Sequence, residues 1–206
     1  GCGGDCGPRL ANGKTTANLQ QAMELGGKAA IDAVKAWRSI RRWEDVPVKV
    51  LQSTFEMPLA QFSDADELTR QAAAIGDPGQ MGRLKRMQHD VLLQRAEYLR
   101  QGNIPPKSKT LELTVLSLGG LAICALPFEI FSRITLRIKE HSPFEHTIVP
   151  GYSNGGMGYF PSADQLCRGG YEVNMFLYRR ALVFSDDAEQ HLVAGSLQLL
   201  RELYEK

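Results

Sequence analysis

An excess of charge of either sign is what this sequence most plainly lacks. Lys and Arg number 24 against 23 Asp and Glu, so no bulk field draws the chain onto nucleic acid, and function has to come from a site. Long apolar runs are missing as well. The best stretch, 111–130, is interrupted by Glu112, Pro127 and Glu129, which spoils the run of about 20 apolar residues that a membrane-spanning helix needs. Cysteines are few and scattered: Cys2, Cys6, Cys124 and Cys167 do not make the disulfide framework of a small secreted scaffold. Cys2 and Cys6 have no second close pair to form a zinc ribbon and read as plain thiols. The histidines His89, His141, His146 and His191 form no His-x-x-x-His or His-Glu-x-x-His motif. No Gly-x-Ser-x-Gly elbow is present for a serine nucleophile. No Met opens the chain, which starts Gly1-Cys2-Gly3-Gly4-Asp5-Cys6-Gly7-Pro8 and is expected to be a piece of something longer.

What is present is a hydrophobic fraction of 43%, enough for a core, arranged in alternating helical and extended patterns. Asn12-Gly13 signals a turn, and Thr15 or Thr16 can cap a helix carrying Leu19, Met23, Ala30, Ala33 and Trp37 at helical spacing. The stretch Val46 to Met57 reads as a strand, with Pro47 at its start and Pro58 closing it. Ser63-Asp64-Ala65-Asp66-Glu67 opens a second helix, broken at Gly76-Asp77-Pro78-Gly79. A third, Met81 to Arg100, turns Leu84, Met87, Val91, Leu92 and Leu99 inward. Its basic residues Arg83, Lys85, Arg86, Arg95 and Arg100 form an outer face suited to solvent or to anionic lipid.

Leu111, Leu113 and Val115 alternate with Glu112 and Thr114, and Gly119-Gly120 separates them from the run 121–126, the pattern of a tight hairpin. A helical stretch follows with Ile130, Ile134 and Ile138 on one face, then a short strand His146 to Val149. The last helix has Asp186, Asp187 and Glu189 in its first turn and Leu192, Leu199 and Leu203 along its inner face. With no internal repeat or linker, the fold class is mixed α/β (α+β), a mixed sheet flanked by helices.

Two places can carry chemistry. Glu129 stands where a buried strand hands over to a helix. Its carboxylate either complements the helix dipole or points into the crevice where ligands gather beyond strand ends. The loop 151–161 holds Gly151, Gly155, Gly156 and Gly158 with Tyr152, Asn154 and Tyr159, and lets backbone approach a ligand closely. It has neither phosphate-loop signature. Gly169-Gly170-Tyr171-Glu172 repeats the theme, and a tyrosine hydroxyl can ligate a metal when ionised or donate to an oxyanion.

The ordered set Gly3-Gly4-Asp5-Cys6-Gly7-Pro8, Ala125-Leu126-Pro127-Phe128-Glu129, 154–161 and Tyr171-Glu172 resembles the neutral/alkaline, non-lysosomal ceramidase family, including the step from Tyr159 to Tyr171. It matches the C-terminal half of that family's catalytic domain, so the resemblance implies an incomplete domain lacking its N-terminal half. It implies a zinc amidohydrolase that cleaves ceramide-like lipid amides into sphingoid base and fatty acid, with zinc held by two histidines, Glu129 and Tyr159. Tyr171 would steady the tetrahedral intermediate, and Asn154 and Gly7 would face substrate. The two zinc histidines would lie upstream of Gly1. Membrane-surface contact and a secreted or membrane-associated location also follow from the resemblance alone.

Two departures accompany it. Gly7 stands where the family has the serine of its reaction centre, and Phe128 replaces the glycine before the ligand glutamate. The chain alone is therefore expected neither to bind catalytic zinc at full affinity nor to hydrolyse ceramide. The alternatives are a hydrolase of a different amide or ester, and a non-catalytic lipid- or glycan-binding relative.

Overall fold

A computed structural model describes residues 2–7 and 18–206. The turn at Asn12-Gly13, the caps Thr15 and Thr16, and Pro8 lie outside the described residues. Helix α1, Leu19–Ser39, is capped by Asn18, whose side chain accepts the Gln21 N–H at 2.9 Å. The expected apolar stripe is there, but none of the helix's residues is buried.

Strand β1 (Val48–Pro58) pairs antiparallel with β2 (Ser108–Leu118), and β2 pairs antiparallel with β3 (Leu121–Ala125). The Gly119-Gly120 hairpin is present, with Gly119 at φ 57°, a left-handed conformation that glycine adopts without steric cost. Strand β5 (His146–Ile148) completes the four-stranded sheet parallel to β3, in the order β1-β2-β3-β5. Seven helices and a mixed sheet among the described residues make the α/β class expected.

Alternation decides which face is covered. Leu111, Leu113, Val115, Ala122 and Cys124 are buried beneath helix α7 (Ala188–Glu205), which packs on β1, β2 and β3. Cys124 behaves as a small hydrophobe, with burial pushing its thiol up to about 11. On the opposite face, Val50, Leu116, Ile123 and Ile148 lie in one register row across all four strands, with Val50 and Ile148 exposed.

Helices α2 (Ala65–Ile75) and α3 (Arg83–Arg100) form a second, smaller core around Leu68, Ala72, Leu92 and Ala96. Asp64 caps α2 by accepting the N–H groups of Asp66 and Glu67, each at 2.9 Å. Arg95 departs from the expected outer face of α3. Its guanidinium donates to the carbonyls of Leu177 (2.7 Å) and Ala181 (2.8 Å) and lies over the Phe62 and Tyr178 rings. It ties α3 to helix α6 (Tyr171–Tyr178) and is withdrawn from any lipid-facing role.

Glu189 likewise does more than complement the dipole of α7. Its side chain is 2% exposed, pairs with Arg137 on helix α4 (Ser132–His141), and accepts the Ala163 N–H at 2.6 Å. Removing one partner of a buried pair costs roughly 3–5 kcal/mol, but Arg137 is 40% exposed and can return to water. Glu189→Ala is therefore expected to cost about 2 kcal/mol in urea unfolding, and Glu189→Gln, whose amide oxygen can still accept from Ala163, clearly less. Equal losses in the two variants would show that the Ala163 bond contributes nothing.

Candidate functional site

The site is organised by a parallel pair of two-residue strands, β4 (Glu129–Ile130) and β6 (Tyr159–Phe160). Neither is long enough to show a sequence period, and both exist because the loop between β5 and β6 runs alongside residues 126–131. The backbone bonds include Leu126 N–H to Pro150 O, Tyr152 N–H to Phe128 O, Ser153 N–H to Leu126 O, Met157 N–H to Pro127 O, Glu129 N–H to Gly158 O and Phe131 N–H to Phe160 O, all between 2.8 and 3.2 Å. Tyr152 (φ 56°) and Asn154 (φ 59°) take left-handed backbone in this loop, a strained choice for residues other than glycine.

Glu129 is opposite Tyr159 in the register. Tyr152 and Tyr159 both lie within the influence of its carboxylate, which raises both phenols, and no Lys, Arg or His among the described residues forms an ion pair with it. Of the two readings of Glu129, the dipole reading is answered by a different residue. Asp5 caps α4 from more than a hundred residues away, its Oδ1 accepting the Ser132 N–H at 2.8 Å and its Oδ2 the Ser132 hydroxyl at 2.7 Å. Glu129 is left to the tyrosines.

Tyr171 opens α6 after Gly169 and Gly170, both at positive φ. Its ring meets that of Tyr159 edge to face, with centroids 5.9 Å apart, a favoured arrangement of aromatic quadrupoles. Burial first, then the Glu129 carboxylate, then Glu172 and Tyr171, push the Tyr159 phenol up to about 12. At neutral pH it is a neutral hydrogen-bond donor.

A folded-state value above the ordinary 10 means that the stability Tyr159 contributes is complete below pH 10 and is lost as pH rises through about 12. Of the six tyrosines, Tyr159 is expected to ionise late, near pH 12, in an ultraviolet titration. That step should vanish in Tyr159→Phe and move to lower pH in Glu129→Gln. Coincident titration of all six tyrosines near pH 10 would contradict it.

The segment 2–7 forms the other wall. Gly4 donates its N–H to Ile130 O at 3.0 Å, and a Cβ there would lie 2.4 Å from Glu129 O. Gly7, Asp5, Phe131, Tyr159, Gln165 and Glu172 line a cleft of about 420 Å³. Burial and the neighbouring Asp5 carboxylate both raise the Cys6 thiol above its usual range, which suits it poorly as a nucleophile.

The structure thus brings Glu129, Tyr159 and Tyr171 together, with Gly7 on the same cleft as Tyr159. Asn154 stands exposed at the loop turn, where its side chain makes no hydrogen bond among the described residues. Tyr152 carries no sequence signal beyond its place in a glycine-rich loop. For a metal, Glu129 and Tyr159 are chemically fit as two oxygen ligands, a carboxylate and a phenol that a cation would drive toward its ionised form. Among the described residues, no group of three His, Cys, Asp or Glu converges to complete a site.

No family model matches the chain, and no curated protein matches it. Among solved structures, the chain is similar to a ceramidase complexed with C2, at a TM-score of 0.41 and 18% identity over 50% of this chain and 17% of that one. It is also similar to the neutral ceramidase from Pseudomonas aeruginosa, at a TM-score of 0.45 and 16% identity over 79% of this chain and 29% of that one. The match therefore spans less than a third of the length of either structure.

Proposed function

We propose that Glu129, Tyr159 and Tyr171 belong to the centre of a zinc-dependent amidohydrolase that cleaves the N-acyl amide of ceramide-like lipids to a sphingoid base and a fatty acid. The observation that supports this reading is the pairing of Glu129 with Tyr159 across β4 and β6, with the Tyr171 ring against Tyr159. Glu129 and Tyr159 would hold the metal, which when bound supplies a Lewis acid and a water of pKa near ~7.

The chain's own residues do the rest. The Tyr171 hydroxyl donates to the oxygen that becomes negative as the amide carbon turns tetrahedral, an interaction stronger in the transition state than in the substrate. Glu172, one residue on, lines the same cleft as Gly7. Asn154, at the exposed turn of the loop, would contact the lipid head group. Gly7 offers backbone and no hydroxyl at this wall, so selection of the amide falls on the tyrosines.

Two ligands do not close a zinc site. The 206-residue chain alone is therefore expected to lack stoichiometric zinc in metal analysis and to release no fatty acid from a labelled N-acyl sphingoid lipid. Stoichiometric zinc that is lost in Glu129→Ala would contradict that expectation. In a longer protein supplying further ligands, release should appear, should be abolished by a chelator, and should fall at least about a hundredfold in Tyr171→Phe, the loss typical of one oxyanion donor. Turnover that survives both treatments sinks the proposal.

The second reading, a non-catalytic lipid binder, is favoured by the glycine at position 7 and by the apolar cavity beside Tyr159. Retained lipid binding without turnover on amides or esters would select it.

A further inference from the structure

A second cavity, of about 460 Å³, opens on the other flank of Tyr159, within the size range of small-ligand pockets, roughly 300–1,000 Å³. Its walls are apolar: Leu59, Met175, Phe176, Leu182, Val183 and Phe184. Its charged groups have a single sign. Lys109, Arg179 and Arg180 line it, and no Asp or Glu does. None of the three is engaged in an ion pair among the described residues.

Arg179 also lies close to the backbone of the site. A Cβ on Gly158, at φ 83°, would lie 3.0 Å from Arg179 Nη1, so the guanidinium lies against the backbone immediately before Tyr159. Gly158 leaves room for it. The chain carbonyls of Leu177, Arg180 and Ala181, which shape this end of α6, are in turn gripped by Arg95.

An apolar pocket with unpaired cations at its mouth matches an aliphatic chain that ends in an anion. The chain leaves water along Phe176 and Phe184, and the carboxylate meets a planar guanidinium that can bind it with two hydrogen bonds. A neutral lipid would leave the cations unpaired, and a cationic amphiphile would be repelled.

We propose that this cavity is a binding site for single-chain aliphatic carboxylates, whether a free fatty acid or an N-acyl amino acid, with Arg179 and Arg180 receiving the carboxylate. The assignment does not depend on amide hydrolysis: an inactive chain would still bind the acid.

The test is displacement of dansyl-labelled undecanoate from the 206-residue chain by C12 competitors. Dodecanoate is expected to displace it about tenfold better than dodecan-1-ol, and dodecyltrimethylammonium worst. Within the carboxylate series, each added methylene should tighten binding by up to about fourfold. The double variant Arg179→Ala/Arg180→Ala changes exposed side chains and should lose the tenfold preference while leaving dodecan-1-ol unchanged. Met175→Trp, which fills the cavity, should weaken acid and alcohol together. N-decanoylglycine binding at least as tightly as dodecanoate assigns the carboxylate to an acyl amino acid; weaker binding assigns it to a free fatty acid. Equal binding of dodecanoate and dodecan-1-ol, or an unchanged dodecanoate affinity in the double variant, would overturn the proposal.

Discussion

Phe160→Ala is expected to lower the stability of the chain by about 3–5 kcal/mol, the range for truncating a fully buried aromatic ring. Phe160 is 1% exposed and is the hub of an aromatic cluster, with centroid separations of 4.7 Å to Phe128, 5.5 Å to Phe176 and 5.9 Å to Phe184. Those partners come from the approach to β4, from α6 and from the segment before α7, so a cavity there cannot be filled by moving one element. Its neighbour in sequence, Tyr159, belongs to the site, and Phe131 bonds through its N–H to Phe160 O. The measurement is the midpoint and slope of urea unfolding: the midpoint should fall sharply with the slope unchanged. A loss below about 1 kcal/mol would mean that the cluster repacks.

Gly4→Ala is expected to detach one wall of the cleft while sparing the main core. A methyl group at this position would sit 2.4 Å from Glu129 O, 2.8 Å from a Phe131 ring carbon and 2.9 Å from Ile130 O. Two of the three are backbone atoms of the site strand and cannot rotate away, so residues 2–7 must leave. With them go the Gly4–Ile130 hydrogen bond, worth about 1 kcal/mol, and the Asp5 cap on α4, worth about 0.5–2 kcal/mol. The summed loss, about 2 kcal/mol, should be reproduced in large part by Asp5→Ala, which removes the cap alone. Amide hydrogen exchange would separate the two effects. In Gly4→Ala, protection should drop at Ser132 and at Ile134 in the first turn of α4, while β2 and α7 keep theirs. Protection unchanged at the start of α4 would show that the segment accommodates the methyl.

Elements whose identity is written locally were legible in the sequence. The β2–β3 hairpin follows from alternation on either side of Gly119-Gly120, and α2 from Asp64 followed by acids in the first turn. The pair β4–β6 was not, because two residues show no period and its hydrogen bonds come from a loop some thirty residues away. Arg95 and Glu189 depart from expectation for a related reason. Charge on a helix predicts solvent, and what overrides it here is a distant partner, the carbonyls at the end of α6 for one and Arg137 for the other. Glu129 stands out by its place at a strand end and Tyr159 through the family resemblance, but their pairing and the arrival of Tyr152 near the same carboxylate are tertiary facts.

Asp5 and Ser132 are separated by 127 positions, and this has a kinetic meaning. The β2–β3 hairpin can close over a two-residue turn, and α7 can dock on the sheet that the hairpin starts. The cleft wall must instead wait for a segment tethered through α1, β1, α2 and α3 to find the start of α4, and the entropic cost of such a closure grows with the length of chain enclosed. A chain interrupted during folding would therefore hold its sheet and most of its core before it held a cleft.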